Sequence, residues 1–108
     1  MASGVQTDFS TFDKQSYDAV RLLKNLANQH RLSVLCTLAS FDGEMSVTEL
    51  LDAVPLSASA LSQHLARMRE DGLVLSRRDA QNIFYRIQPG PALAVIDVLR
   101  QHYCNIKE

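Results

Sequence analysis

Between Ser46 and Gly72 the chain starts and stops two helices, and the period of its hydrophobic pattern then changes. Ser46 opens the first helix, with Glu49 three residues later to complete a capping box. That helix runs to about Val54 and stops at Pro55, which cannot continue it. Ser57 caps the second, whose apolar residues Leu61, Leu65 and Met68 fall at i, i+4 and i+7 on one face. Asp71-Gly72 ends it, the glycine supplying a left-handed residue. Beyond Gly72 two strand-like segments, "LVLSRR" and "IFYRIQ", are joined by the polar tip Asp79-Ala80-Gln81-Asn82. Two short helices separated by "PLS" and followed by a two-stranded hairpin make a winged helix-turn-helix.

The rest of the chain is helical. Residues 1–12 are polar and read as a flexible N-terminal tail; the folded domain then spans 13–108. From about Asp13, Val20, Leu23 and Ala27 form one stripe with Ala19, Leu22 and Leu26 beside it. A stripe this wide predicts burial on more than one side. Asn28 caps a helix in which Leu32, Leu35, Cys36 and Ala39 share a face, and Asp42-Gly43 ends it. Pro91 suits the first turn of a last helix reaching about Cys104. The expected fold is mainly α (α+β), a winged helix-turn-helix of five helices with a two-stranded hairpin wing.

Length supports one domain, and no apolar run approaches the roughly 18 residues that span a bilayer. No signal peptide is visible, so a cytoplasmic protein without a membrane partner is expected. The net charge of −1 does not by itself favour nucleic acid. Its distribution does: residues 57–88 carry five arginines (67, 69, 77, 78 and 86) against three acids, while the remainder carries six bases against nine acids.

The helix after Ser57 has an unusual outer face. Ser59 and Gln63 point away from the apolar stripe, with Ser62 and Arg67 on the flanks of that polar face. Such groups suit base edges in a major groove: Gln pairs with adenine, Arg with guanine, and Ser adapts to either. Ala60 leaves room for a thymine methyl, and Ser57 starts the helix. A solvated, Ser-rich helix is the plain alternative, which the neighbouring helix and Arg-bearing hairpin weaken. His64 straddles the polar and apolar faces and fits either a phosphate contact or half-buried packing. Arg77, Arg78, Gln81 and Asn82 are candidates for phosphate or minor-groove contact, or simply a soluble hairpin edge. Arg31 is equally a phosphate contact or an ordinary surface arginine.

At these residues the sequence resembles the ArsR/SmtB family of winged-helix repressors. The matching stretches are "LANQHRLSVLCTL", "SVTELLDAVPLSASALSQHLARMREDGLV" and "RRDAQNIFYRI", within a likeness running from about Tyr17 to Cys104. The resemblance implies a homodimer with its first and last helices at the interface and its recognition helices in successive major grooves of operator DNA. Val95, Val98, Leu99 and Tyr103, with His102 among them, would form one interface face. Many members sense metals. At one metal position of the family this chain has Ser46 and Thr48; at the other it has Pro89, Pro91, His102 and Asn105. One ligand of four remains, which cannot hold zinc. No metal and no cofactor is expected.

Cys36 and Cys104 lie 68 positions apart, neither a zinc spacing nor a CxxC pair. By themselves they are core thiols or a redox pair. One cysteine in the second helix and one near the end of the last resemble the BigR/SqrR/HlyU-like subgroup of persulfide sensors. The resemblance implies that reactive sulfur species or oxidants bridge Cys36 and Cys104 and lower operator affinity. A semi-buried Cys36 opposite a partly exposed Cys104 would suit attack and resolution. Arg100 and Lys107 favour a Cys104 thiolate, while the helix C-terminal dipole opposes it. Three other readings stay open: a metal-responsive repressor, an HlyU-like activator that displaces another repressor, and a winged helix that binds only protein. An enzyme is not expected, because no catalytic constellation with a definable pocket is visible; His30 and His102 could serve the cysteines as bases, but no spacing requires it.

Overall fold

A computed structural model describes residues 9–41 and 43–103. Five helices and three short strands follow in the order α1 (Phe9–Leu26), α2 (Gln29–Ser40), β1 (Met45–Ser46), α3 (Val47–Ala53), α4 (Ala58–Glu70), β2 (Val74–Asp79), β3 (Asn82–Ile87) and α5 (Pro91–His102). The winged helix-turn-helix is therefore present, with α3 and α4 as its two helices.

The caps sit where the sequence puts them. Asn28 Oδ1 accepts from the backbone N–H of His30 and Arg31, both at 3.0 Å. Ser46 Oγ accepts from the Glu49 N–H at 3.1 Å, and Glu49 Oε1 accepts from the Ser46 N–H at 2.8 Å, closing the capping box. Ser57 Oγ accepts from the Ala60 N–H at 3.1 Å. Gly72, at φ 78°, takes the left-handed conformation that lets the chain leave α4 and turn into the wing. The Leu73 N–H then reaches back to the Met68 carbonyl at 2.8 Å.

Three features depart from expectation. Helix α1 starts at Phe9, so residues 9–12, assigned to the tail, are helical. Ser and Thr near a helix start sit where N–H groups lack intrahelical partners anyway, so polar composition does not exclude a first turn. The sheet has three strands in the order β1-β3-β2, because Met45 pairs with Tyr85 and Ser46 with Phe84. The wing turn is two residues, Ala80-Gln81, with Asp79 and Asn82 paired across the strand ends. Ala80 accommodates that tight turn at φ 59°.

The core is almost wholly aliphatic. Leu35 and Val34 of α2, Leu50 of α3, Leu61, Leu65 and Met68 of α4, Val74 of β2 and Ile96 of α5 are all sealed from solvent. Burying each such side chain contributes about 1.5–3 kcal/mol. This core fixes α4 by its inner stripe and so decides which residues its outer face presents. Helix α5 packs along α2. Helix α1 buries only Leu26 and half-buries Leu22 and Asn25 among its described side chains.

Candidate nucleic-acid interface

Ser59, Ser62, Gln63 and Arg67 are exposed on α4, opposite buried Leu61, Leu65 and Met68. Ala60 is half-buried beside them. Ser57 lies at the same end, its oxygen engaged as the helix cap. The arrangement offers a row of short hydrogen-bonding groups and one arginine on a helix anchored from behind. A groove-reading surface requires that combination.

The wing extends the basic surface unevenly. Arg78, Gln81 and Asn82 are exposed at or beside its tip, and Arg78 makes no ion pair among the described residues. Arg77 is engaged elsewhere. Its Nη2 lies 2.7 Å from Glu44 Oε1, and its Nε donates to both Glu44 oxygens at 3.1 and 3.0 Å. Its guanidinium also lies 4.8 Å from the centre of the Phe84 ring. The Arg77 hydrogen bonds hold the Glu44 carboxyl below its ordinary value, against an opposing desolvation and with further help from the charges of Arg77 and Arg86. Arg77 therefore braces the wing against the segment leading into β1, and Arg78 is left facing solvent. Arg69 provides a second brace, its Nη1 donating to Ser76 Oγ of β2 at 3.3 Å.

His64 is half-buried, and its ring centre lies 5.9 Å from that of His30 at the start of α2. Burial first, then the charges of Arg31 and His30, hold its imidazole below the usual value. Arg31 is also half-buried, its Nη1 making long contacts of 3.5 Å to the Asn25 carbonyl and to Asn25 Oδ1. Sequence reasoning singled out His64 and Arg31 but not their meeting, and it missed Glu44, Arg69 and His30 as neighbours of the site. Arg77 and Glu44 are 33 residues apart, and no local pattern couples residues at that distance.

Cys36 is buried, at 2% exposure, deeper than the semi-buried position expected. It belongs to the same aliphatic cluster as Leu35 and Leu38. Cys104 lies outside the described residues, as do Asn105 and Lys107. Arg100, expected to act on Cys104, has its Nη2 3.4 Å from Asp97 Oδ1. Among the described residues no group of three or more His, Cys, Asp or Glu could hold a metal ion, and no helix is long and apolar enough to cross a membrane.

Comparison with known proteins places the chain in a family. Residues 28–76 match the model for bacterial regulatory proteins of the arsR family, a span containing α2, α3, the turn and α4. The transcriptional activator HlyU of Vibrio cholerae is 44% identical over 105 residues, covering 97% of this chain and 95% of that protein. The biofilm growth-associated repressor of Agrobacterium fabrum is 40% identical over 96 residues, covering 89% of this chain and 80% of the relative. The solved structure of reduced HlyU from Vibrio cholerae superposes with a TM-score of 0.80 at 47% identity, over 88% of this chain and 98% of that one. The chain belongs to the ArsR family of bacterial regulatory proteins and is a transcriptional regulator, not an enzyme.

Proposed function

We propose that this regulator is a homodimeric repressor that binds double-stranded operator DNA through α4 and the wing, and that bridging Cys36 to Cys104 lowers its affinity. The outer face of α4 carries the DNA reading: Ser59, Ser62, Gln63 and Arg67 are exposed, and Leu61, Leu65 and Met68 hold the helix from within. Gln63 reads base edges with Ser59 and Ser62 beside it, Ala60 leaves room for a thymine methyl, Ser57 caps the helix at that end, and Arg67, Arg78, Gln81 and Asn82 meet backbone or groove. His64 lies on the flank of that face, and Arg77 acts by orienting the wing.

The dimer reading rests on apolar surface that the single chain leaves open. Tyr17, Val20 and Leu23 of α1 are 73%, 45% and 56% exposed, and Val98 of α5 and the adjacent Tyr103 are 56% and 81% exposed. A second copy covers both helices. Two-fold symmetry then sets two α4 helices about one DNA turn apart, roughly 34 Å.

The switch reading is supported by the packing of α5 on α2 and by the relative solved in a form described as reduced. Reactive sulfur species or oxidants would link the thiols within one subunit, tying the end of α5 to α2. A small change in α4 spacing suffices, because a tenfold loss of affinity is about 1.4 kcal/mol. The name of the Vibrio cholerae relative, a transcriptional activator, supports a second sign of action, in which this protein activates transcription.

The test is a titration of DNA from the protein's own promoter region, with reduced protein and after polysulfide treatment. Gln63→Ala loses about 1–3 kcal/mol on the specific site and little on scrambled DNA. Cys36→Ser and Cys104→Ser bind as wild type does when reduced and stay bound with polysulfide. Unchanged specificity in Gln63→Ala removes α4 as the reading element. Release of the double Cys→Ser variant by polysulfide removes the dithiol.

A further inference from the structure

His30, Arg31 and His64 meet where the start of α2 touches the flank of α4. The two rings are 5.9 Å apart. Arg31 carries a buried Nε with no hydrogen-bond partner, and its Nη1 reaches only the Asn25 oxygens, at 3.5 Å. None of the three side chains makes an ion pair among the described residues. His30 is exposed, and His64 and Arg31 are half-buried, so the cluster opens to solvent. It is a concentration of positive or protonatable groups with no ion-pair partner among the described residues. The charges acting on His64 are Arg31 and His30 of α2, and no carboxylate is among them. From α1 the packed neighbour is Asn25, which is uncharged, and on α4 itself Arg67 lies one turn on.

Such a cluster costs the free protein stability, since like charges repel and a buried guanidinium nitrogen lacks an acceptor. An anion removes both costs. The anion available here follows from position, because His64 directly follows Gln63 on the helix that would lie in the groove. The phosphodiester chain borders the groove on either side.

We propose that His30, Arg31 and His64 cradle one backbone phosphate of the bound duplex in each protomer, and that the cradle takes up a proton as it takes up DNA. The inference rests on the DNA-binding reading above and adds to it a phosphate site outside the base-reading face and the wing. The sign of the pH effect follows. In the free protein, burial first, then Arg31 and His30, disfavour the charged form of the His64 ring. A bound phosphate reverses the local field and favours the imidazolium. The complex then binds more protons than the free protein, so affinity rises as pH falls from about 8 to about 6.

Phosphate contacts are largely indifferent to sequence, so the experiment needs no knowledge of the operator. Fluorescence anisotropy of a labelled mixed-sequence duplex of about 30 base pairs is followed against salt at pH 6 and pH 8, under reducing conditions. Each phosphate contact adds about 0.9 to the salt slope. Wild type therefore shows a slope steeper at pH 6 by up to about one per protomer, with affinity at least several-fold higher. His64→Gln, whose folding is checked by its melting temperature without DNA, keeps a neutral hydrogen-bond donor in the cradle but cannot take up the proton. It loses the steepening at pH 6. His30→Gln, an exposed change, reduces the steepening by a smaller amount. A wild-type slope equal at both pH values, or steepening that survives in His64→Gln, overturns the cradle and leaves the DNA reading standing. Failure of wild type to bind any duplex at either pH overturns the DNA reading, and the cradle with it.

Discussion

Helix α4 closes its apolar stripe inside its own protomer, and helix α1 does not. In α4, Leu61, Leu65 and Met68 are at most 1% exposed, and the opposite face is polar. In α1, Tyr17, Val20 and Leu23 lie open, and among its described side chains only Leu26 is buried. Both helices are amphipathic by sequence. One is held by the chain that contains it, and the other presents an apolar face to whatever completes it. An element that must hold side chains in fixed register for recognition gains from the first situation. An element whose proposed task is to join two copies gains from the second.

The largest effect is expected at the inner stripe. Leu65→Ala leaves a cavity between α4 and the rest of the core and costs about 2–5 kcal/mol of folding stability. Urea denaturation measures the loss. The loss attributable to the cavity is set by contacts within one protomer, so it is the same at low and high protein concentration. A cost below about 1 kcal/mol would show that α4 is less firmly anchored than its burial implies.

A smaller and different effect is expected on α1. Leu23→Ala removes little from the protomer core, since Leu23 is 56% exposed. In the proposed dimer two-fold symmetry applies the change twice, and truncating an interface side chain of this kind weakens association by about 1–3 kcal/mol in total. Sedimentation at low micromolar concentration would shift toward monomer, and the midpoint of unfolding would lose part of the concentration dependence that a dimeric wild type shows. Equal sedimentation of wild type and Leu23→Ala, both monomeric, would mean that α1 joins no second copy.

The comparison also explains what was legible in the sequence. The inner stripe of α4, the caps at Asn28, Ser46 and Ser57, and the turn at Gly72 all depend on residues within a few positions of one another, and all are found. Strand β1 was missed because it is two residues long and one of them, Ser46, is also the cap of α3. Its pairing with Tyr85 and Phe84 is a long-range contact that no local period announces. The wing turn was overestimated because the polar run Asp79–Asn82 suggests a loop, while Ala80 accepts a positive φ usually given to Gly or Asn. At the candidate site the outer face of α4 was legible from the helical period alone. The engagement of Arg77 by Glu44, and the meeting of His64 with His30, depend on tertiary packing and were not.

That tertiary brace carries the smallest expected effect. Arg77 and Glu44 form a two-point contact at the surface, with the Arg77 side chain half-exposed. Exposed pairs of this kind are screened by salt and contribute little to stability. The direction is nevertheless fixed. The Arg77 hydrogen bonds hold the folded Glu44 carboxyl below its ordinary value of 4.5. A carboxyl lowered on folding stabilises the native state fully above the unfolded value, and that contribution is lost as pH falls through the folded one. Wild type should therefore exceed Glu44→Gln slightly in melting temperature at pH 7, and the gap should close between about pH 5 and pH 3. Like the α4 cavity, and unlike the change on α1, the gap should not vary with protein concentration, because the pair lies within one protomer. Added salt should narrow it at pH 7. The corresponding loss on DNA should be seen at the wing: Glu44→Gln frees Arg77 from its brace and adds an unpaired cation beside Arg78, steepening the salt slope while the affinity ratio between operator and scrambled DNA falls. If melting and DNA binding of Glu44→Gln match wild type at every pH, the ion pair is a surface contact with no part in orienting the wing.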